Sequence, residues 1–174
     1  MFNKALERLT HTEDSIAIAV LRVALGTVMF AHGAQKALGW FGGHGYEGTM
    51  GFLTQHVGLP GILAFLVIAI EFLGALALIV GVGGRLAALG IGGVMAGAVF
   101  TSHLSTGFFM NWTGTQAGEG FEYHILAMAM AAAVAIAGSG AYSLDRWLHR
   151  RLLGTDPARR AAVPLAAQPA RSLA

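Results

Sequence analysis

The chain has 174 residues, 55% of them hydrophobic and 11% charged, with a net charge of +2 and no cysteine; its mean hydropathy is +0.63. Soluble domains carry about 25% charged residues, so much of this chain has no need to face water. The absence of cysteine excludes disulfide scaffolds, thiol redox motifs, zinc ribbons and cysteine-held iron–sulfur clusters for this chain alone, and the absence of a basic stripe interleaved with aromatics argues against nucleic acid as a partner. Any redox role has to use a bound cofactor, a diffusing substrate or a partner subunit.

Residues 1–14 form a short charged lead in which Lys4 and Arg8 are mixed with Glu7, Glu13 and Asp14. The apolar run that follows is too long for the core of a signal peptide. Residues 16–38 read as a first membrane span, long enough to cross a ~30 Å hydrocarbon core at ~1.5 Å per residue. Its strongly polar interruptions are Arg22, His32 and Lys36. Residues 39–59 form a glycine-rich loop whose middle, from Tyr46 to His56, suits a short interfacial helix, and Pro60 stands where a helix would start. Residues 62–80 are a second span interrupted by Glu71. Gly81-Val82-Gly83-Gly84-Arg85 makes a tight turn, with no strand before it and therefore no dinucleotide fingerprint. Residues 86–103 are a third, uncharged span ending in His103. Residues 104–120 are a second long polar loop. Residues 121–138 are a fourth span, with Glu122, Tyr123 and His124 at its entry. From residue 148 the chain is basic, then rich in proline and alanine, and residues 148–174 read as a disordered tail.

Lysine and arginine placement orients these spans. Neither long loop contains either residue, whereas the lead, the short turn and the C-terminal segment carry Lys4, Arg8, Arg85, Arg146, Arg150, Arg151, Arg159, Arg160 and Arg171. With four spans all the basic segments fall on one side. The expected fold is therefore an all-α membrane protein, a four-transmembrane-helix bundle of residues 1–147 with both termini cytoplasmic. Gly93 and Gly97 are a small-xxx-small pair that suits close helix packing within the bundle or a homodimer face.

Charges inside a span are costly and usually face the bundle interior, paired with one another. At 100° per residue, Arg22, Gly26, Met29, Gly33 and Lys36 share one stripe with His32 at its edge, and Glu71, Gly74, Leu78, Gly81 and Arg85 share another. Arg22 lies roughly 10 Å and Glu71 roughly 15 Å from the inner ends of their antiparallel spans, so the two are expected to meet. That pair reads either as a buried packing contact or as a ligand anchor. His32, Lys36, His103, Glu122, Tyr123 and His124 all fall near the outer end. Three histidines, a lysine and a carboxylate converging there suit a quinone-type ligand, which needs hydrogen bonds at its carbonyls, a proton path and an apolar slot. Phe30, Phe100, Met128 and Trp112 are the candidates for the slot. The histidines with Glu122 are also a candidate metal or haem set, although none has the short ligand spacing of a metal motif. His44 and His56 read as surface loop residues.

Arg22-x-x-x-Gly26 followed by Phe30-Ala31-His32-Gly33-x-x-Lys36 resembles the opening of DoxX-family membrane proteins. Glu71-x-x-Gly74 with Gly81 and Arg85, then His103, Gly120-Phe121-Glu122-Tyr123 and Gly138-Ser139-Gly140-Ala141-Tyr142-Ser143-Leu144-Asp145 continue the pattern in order over roughly residues 20–147. The resemblance implies a multi-pass four-helix bundle in the inner membrane. Name-giving relatives are subunits of a membrane thiosulfate:quinone oxidoreductase. Others are associated with responses to quinones, catechols and thiol or oxygen stress, sometimes as partners of soluble redox enzymes.

The leading expectation is a quinone-linked oxidoreductase subunit in which His32, Lys36, His103 and Glu122 orient ligand and move protons, while Arg22, Glu71, Tyr123 and His124 bind ligand or hold the bundle. Quinone is the expected cofactor ahead of metal or haem. The expected partners are the lipid bilayer and a soluble redox enzyme or second membrane subunit. Two other readings stay open. One is a non-catalytic scaffold docking a soluble redox enzyme through Arg146 to Arg151. The other is a small-molecule transporter, disfavoured by the lack of broken helices or an inverted repeat.

Overall fold

The computed structural model describes residues 10–152, and among them every regular element is helical. Helix α1 is Ile16–Leu38. It starts where the Ser15 hydroxyl accepts a hydrogen bond from the Ile18 amide at 3.3 Å, an N-cap that satisfies one of the donors a helix start leaves open. It stops at Gly39, whose left-handed backbone (φ 74°) lets its amide reach back to the Ala34 carbonyl. A short helix α2, Gly45–Gly51, follows and widens into a π-type turn over Phe52–His56, where the interfacial helix was expected. Helix α3 is Gly61–Val80 and contains a π-type turn at Ile70–Gly74. Helix α4 is Gly84–Thr106, with a similar turn at Val99–His103. Helix α5 is Glu122–Ala137 and α6 is Leu144–Leu152. The lead before Thr10 and most of the expected tail lie outside the described residues; Leu144–Leu152 carries helix past the expected boundary at residue 147.

Helices α1, α3 and α4 are each long and apolar enough to cross a membrane, and α5 is a shorter apolar helix of 16 residues. Helix α1 packs against α3 and α5, and α4 packs against α5 and against the π turn of α3. Leu25, Met29, Leu78, Ile91 and Val134 fill the centre, with alanines at the crossings. Large apolar side chains such as Leu73, Leu86, Leu89, Leu126 and Ile136 point outward. A sheath of that kind on helices with internally satisfied backbones is what a bilayer requires.

Glycines set the register of α1 on α3. A Cβ at Gly33 would lie 2.6 Å from the Phe72 Cα and 2.7 Å from the Glu71 carbonyl, and one at Gly26 would lie 3.0 Å from the Ile79 amide. The two backbones are therefore in contact at both levels. Gly93 and Gly97 are different: among the described residues, nothing outside their own helix backbone lies within 4 Å of a Cβ at either position, so the small-xxx-small pair meets no other described helix.

This register overturns the expected Arg22–Glu71 pair. With Gly33 opposite Glu71 and Gly26 opposite Ile79, Arg22 comes just past the C-terminal end of α3, about three turns beyond Glu71. Its guanidinium donates to four carbonyls instead: Ser139 at 2.6 Å, Leu78, Ile79 at 2.8 Å and Tyr142 at 3.4 Å. Two of these are carbonyls that the end of α3 leaves without helical partners. Asp145 completes the same junction. Its carboxylate accepts from the Gly83 and Gly84 amides at 2.9 and 3.0 Å and from the Ser139 hydroxyl at 2.6 Å, capping the start of α4. Arg85 donates to the carbonyls of Ala135 and Ile136 near the end of α5, both at 2.6 Å. One end of the bundle, which carries both described termini, is thus closed by charged side chains bonded to helix ends. The other end carries both long loops.

Candidate functional site

The loop end is where the remaining buried polar groups gather. Helix α1 brings His32 and Lys36 to within its last two turns, the π turn of α3 brings Glu71, the C-terminal part of α4 brings His103, and the first turn of α5 brings Tyr123 and His124. π-type turns recur at functional positions because the inserted residue displaces one backbone bond and re-aims a side chain. Here the π turn of α3 contains Glu71 and that of α4 ends on His103.

Two clusters meet at this end. In the first, the Lys36 Nζ stands 2.6 Å from the Glu71 Oε2; the glutamate side chain is 4% exposed and the lysine 29%. Lysine is therefore the partner with a route to the surface. Phe72, which follows Glu71 in sequence, stacks on Phe30 with ring centroids 5.7 Å apart, and Trp40 closes edge-on against Phe30 at 6.4 Å. In the second, the His103 and His124 rings lie 4.2 Å apart and Tyr123 lies 5.5 Å from His124 and 6.0 Å from His32. The Tyr123 hydroxyl is 3.5 Å from the Met29 sulfur in the core. His103 is held by its Nδ1, 2.9 Å from the Glu119 carbonyl. His32, one turn before Lys36 on α1, meets the Tyr123 ring and so joins the two clusters.

His124 is the exceptional member. Its side chain is 6% exposed, and its Nδ1 is buried with no hydrogen-bond partner. Native structures satisfy nearly all buried polar atoms, and leaving one open costs about 1–3 kcal/mol. An unpartnered imidazole nitrogen next to a second imidazole, inside an apolar bundle, is a group with unused capacity to donate or accept a proton.

Glu122 does not join them. Its carboxylate accepts from the Met110 amide at 3.1 Å and from the Trp112 indole at 3.0 Å, so it braces the loop that precedes α5. The nearest free donors at that helix start are the loop's own N–H groups, and the carboxylate takes them. The expected apolar slot is not assembled either: Phe100 faces outward, Trp112 is 84% exposed and bonded to Glu122, and Met128 packs against the core. Phe30 packs on the same core and meets Phe72 and Trp40, two aromatics with no role in the sequence-based expectations. Asp145 is a second omission. Its signal was the start of α4 at Gly83-Gly84, which has no capping side chain of its own.

Among the described residues, no group of three or more histidine, aspartate and glutamate side chains is placed to hold a metal ion. The His103 and His124 rings are tilted by 44° to one another. Two open cavities, of about 390 and 620 Å³, lie at the opposite end, against Tyr142, Ser143 and Trp147.

An apolar helical bundle with a lipid-facing sheath and a polar cluster inside it defines an integral membrane protein. The profile of the DoxX family matches residues 17–104, half of the chain, and the chain belongs to that family. It is also 31% identical over 96 residues, 55% of this chain, to a Bacillus subtilis (strain 168) protein named "Putative oxidoreductase CatD"; the match covers 66% of that relative, just under two thirds of its length. No solved structure matches the chain.

Proposed function

We propose that this protein is a four-span inner-membrane subunit of a quinone-linked oxidoreductase, with both termini in the cytoplasm and its ligand site at the outer end of the bundle. The observation that carries the reading is the buried, unpartnered Nδ1 of His124 beside His103, at the end of the bundle that also holds the Lys36–Glu71 pair. The topology rests on the two lysine- and arginine-free long loops and on the arginines gathered at the other end, with α5 as the fourth span. The name of the Bacillus subtilis relative is in keeping with redox work.

A quinone, when bound, supplies exchange of electrons with proton uptake or release at its two oxygens. The residues present fit the protein's share of that chemistry. The Lys36 ammonium is a donor for one oxygen, partly exposed and held by Glu71. His124 Nδ1 is an open donor or acceptor in the core. His103, tied to the Glu119 carbonyl at the loop surface, links His124 to water. Stacked Phe30 and Phe72 offer an aromatic wall. In this arrangement His124 takes the proton-handling role expected of Glu122, and Glu122 organises the loop.

The test is protein purified in a mild detergent and reconstituted with a lipid-soluble quinone. Near-stoichiometric quinone binding in the native chain, reduced at least tenfold in His124→Ala and in Lys36→Met with helix content unchanged, is the expected result. Equal binding in the native chain and both variants would overturn the reading. Absence of quinone together with stoichiometric co-purification of a soluble redox enzyme would replace it with the scaffold reading.

A further inference from the structure

His32 is the member of the loop-end cluster that faces out of the bundle: Lys36, His103 and Tyr123 are half-buried, Glu71 and His124 are buried, and His32 is exposed. Leu25 lies two turns before it and within about 20° of it around the helix, at 100° per residue, and is 1% exposed. The flank of α1 that is covered at Leu25 is therefore open at His32. Across the opening stands the first turn of α5, whose Tyr123 ring lies 6.0 Å from the imidazole. The Tyr123 hydroxyl is bonded to the Met29 sulfur at 3.5 Å. Among the described residues, no group hydrogen-bonds the His32 ring.

The opening gives onto lipid. Arg22 bonds the carbonyls that end α3. His32 is about 15 Å farther along α1, with about 9 Å of helix still to run, so it lies well inside a ~30 Å hydrocarbon core. Val28, one turn before His32, is 43% exposed, and Leu126, on the next turn of α5 after Tyr123, is 65% exposed; both belong to the apolar sheath. An imidazole at that depth without a hydrogen bond is costly, and lipid tails offer none. Behind it the rings lead inward. Tyr123 lies 5.5 Å from His124, His124 lies 4.2 Å from His103, and His103 is tied to the Glu119 carbonyl in the loop.

We propose that the site opens sideways into the bilayer between α1 and α5, and that the quinone enters there as a long-tailed, lipid-soluble molecule. The His32 N–H donates to a headgroup oxygen at the mouth, and the tail lies along Val28 and Leu126 in the sheath. A donor that faces hydrocarbon meets only acceptors that partition there, which selects a tailed quinone over a water-soluble one. The occupant rests on the quinone reading; the opening does not.

The chain has no cysteine, so one introduced thiol carries one nitroxide. Full-length protein labelled at His32→Cys, Val28→Cys or Ala117→Cys, the last in the exposed loop, is reconstituted in phospholipid vesicles. Collisions with oxygen, which concentrates in lipid, are compared with collisions with a water-soluble nickel complex. Oxygen is expected to dominate at positions 32 and 28, and nickel at 117. Nickel reaching position 32 as readily as 117 would overturn the opening. The label at position 28, with His32 in place, then reports the tail: an isoprenoid quinone is expected to lower oxygen access there, and a tail-less benzoquinone to leave it unchanged. His32→Leu is expected to weaken isoprenoid-quinone binding about tenfold, the loss of one hydrogen bond, and His32→Gln, which keeps a donor, to retain it. Quinone bound to the native chain with no change at position 28, the same change with the tail-less molecule, or full-strength binding in His32→Leu would overturn this inference and leave the quinone site standing. No quinone bound to the native chain would overturn that site and the tailed occupant with it, while the collision result at position 32 still decides the opening.

Discussion

Replacing Lys36 by methionine removes the partner of a carboxylate that is 4% exposed and 2.6 Å from its nitrogen. Breaking a buried ion pair from one side costs about 3–5 kcal/mol, because the remaining charge is left uncompensated. The lysine side chain is 29% exposed, so some water reaches the pair and the cost falls toward the lower limit, about 3 kcal/mol. Glu71→Gln is milder. Glutamine fills the same volume, and the freed ammonium sits on a flexible stem near the end of α1, where it can turn toward water. That change costs about 1 kcal/mol. K36M/E71Q leaves neither charge stranded and is expected to be more stable than K36M. The pair then shows a coupling of about 2 kcal/mol in a double-mutant cycle. Unfolding in mixed micelles by titration with a denaturing detergent, followed by helical circular dichroism, measures all four proteins. Additivity within about 0.5 kcal/mol, or E71Q as costly as K36M, would refute the asymmetry argued from burial.

Three further outcomes follow from the geometry. Asp145→Ala strips the cap from the Gly83 and Gly84 amides and from Ser139, and is expected to destabilise by about 2 kcal/mol in the same assay, against about 1 kcal/mol for Ser139→Ala. Gly33→Ala forces α1 from α3, because its Cβ meets backbone atoms at 2.6 Å; a loss of about 1–3 kcal/mol is expected, while Gly93→Ala, which meets open space, is expected to change thermal stability little. Glu122→Gln weakens the two hydrogen bonds to Met110 and Trp112, so hydrogen exchange at amides 110–112 is expected to accelerate with helix content unchanged.

The apolar runs and the gathering of polar groups at one end were legible because each follows from a local property. Residues 16–38 coincide with α1, and His103 and His124 had to fall at one level once α4 and α5 were antiparallel neighbours. Side-chain direction at a helix start is not local in that sense. Glu122 stands in the first turn of α5, where a carboxylate can face the bundle or the preceding loop. The choice depends on where that loop sets the Met110 amide and the Trp112 indole. The role of Asp145, the last residue of the Gly138–Asp145 motif, was hidden for a similar reason: it lies 61 residues along the chain from the Gly84 amide it caps.

The Arg22–Glu71 error has a more instructive cause. Both residues lie on the right stripes, and the sequence contained the means to set them in register. Gly26 and Gly33 share the stripe of Arg22, and each marks a level where α1 meets another backbone. Sliding α3 until those glycines meet Ala75 to Ile79 and Glu71 to Phe72 gives Glu71 to Lys36 and leaves Arg22 beyond the last turn of α3. Aligning the span ends instead assumed that both helices begin at one depth, and α1 runs deeper. The corrected register also separates two kinds of buried charge. At the terminal end Arg22 and Asp145 meet helix-end carbonyls and amides, whose demand for partners explains both residues without any ligand. At the loop end Gly39 ends α1 and Glu122 is taken by the loop, while Lys36 and Glu71 bond one another and not a helix end. One buried polar atom is left open in each group, Arg85 Nε and His124 Nδ1; the Arg85 guanidinium still donates to three backbone carbonyls, whereas the His124 ring faces a second imidazole, and that difference is the ground for seeking ligand chemistry at the loop end.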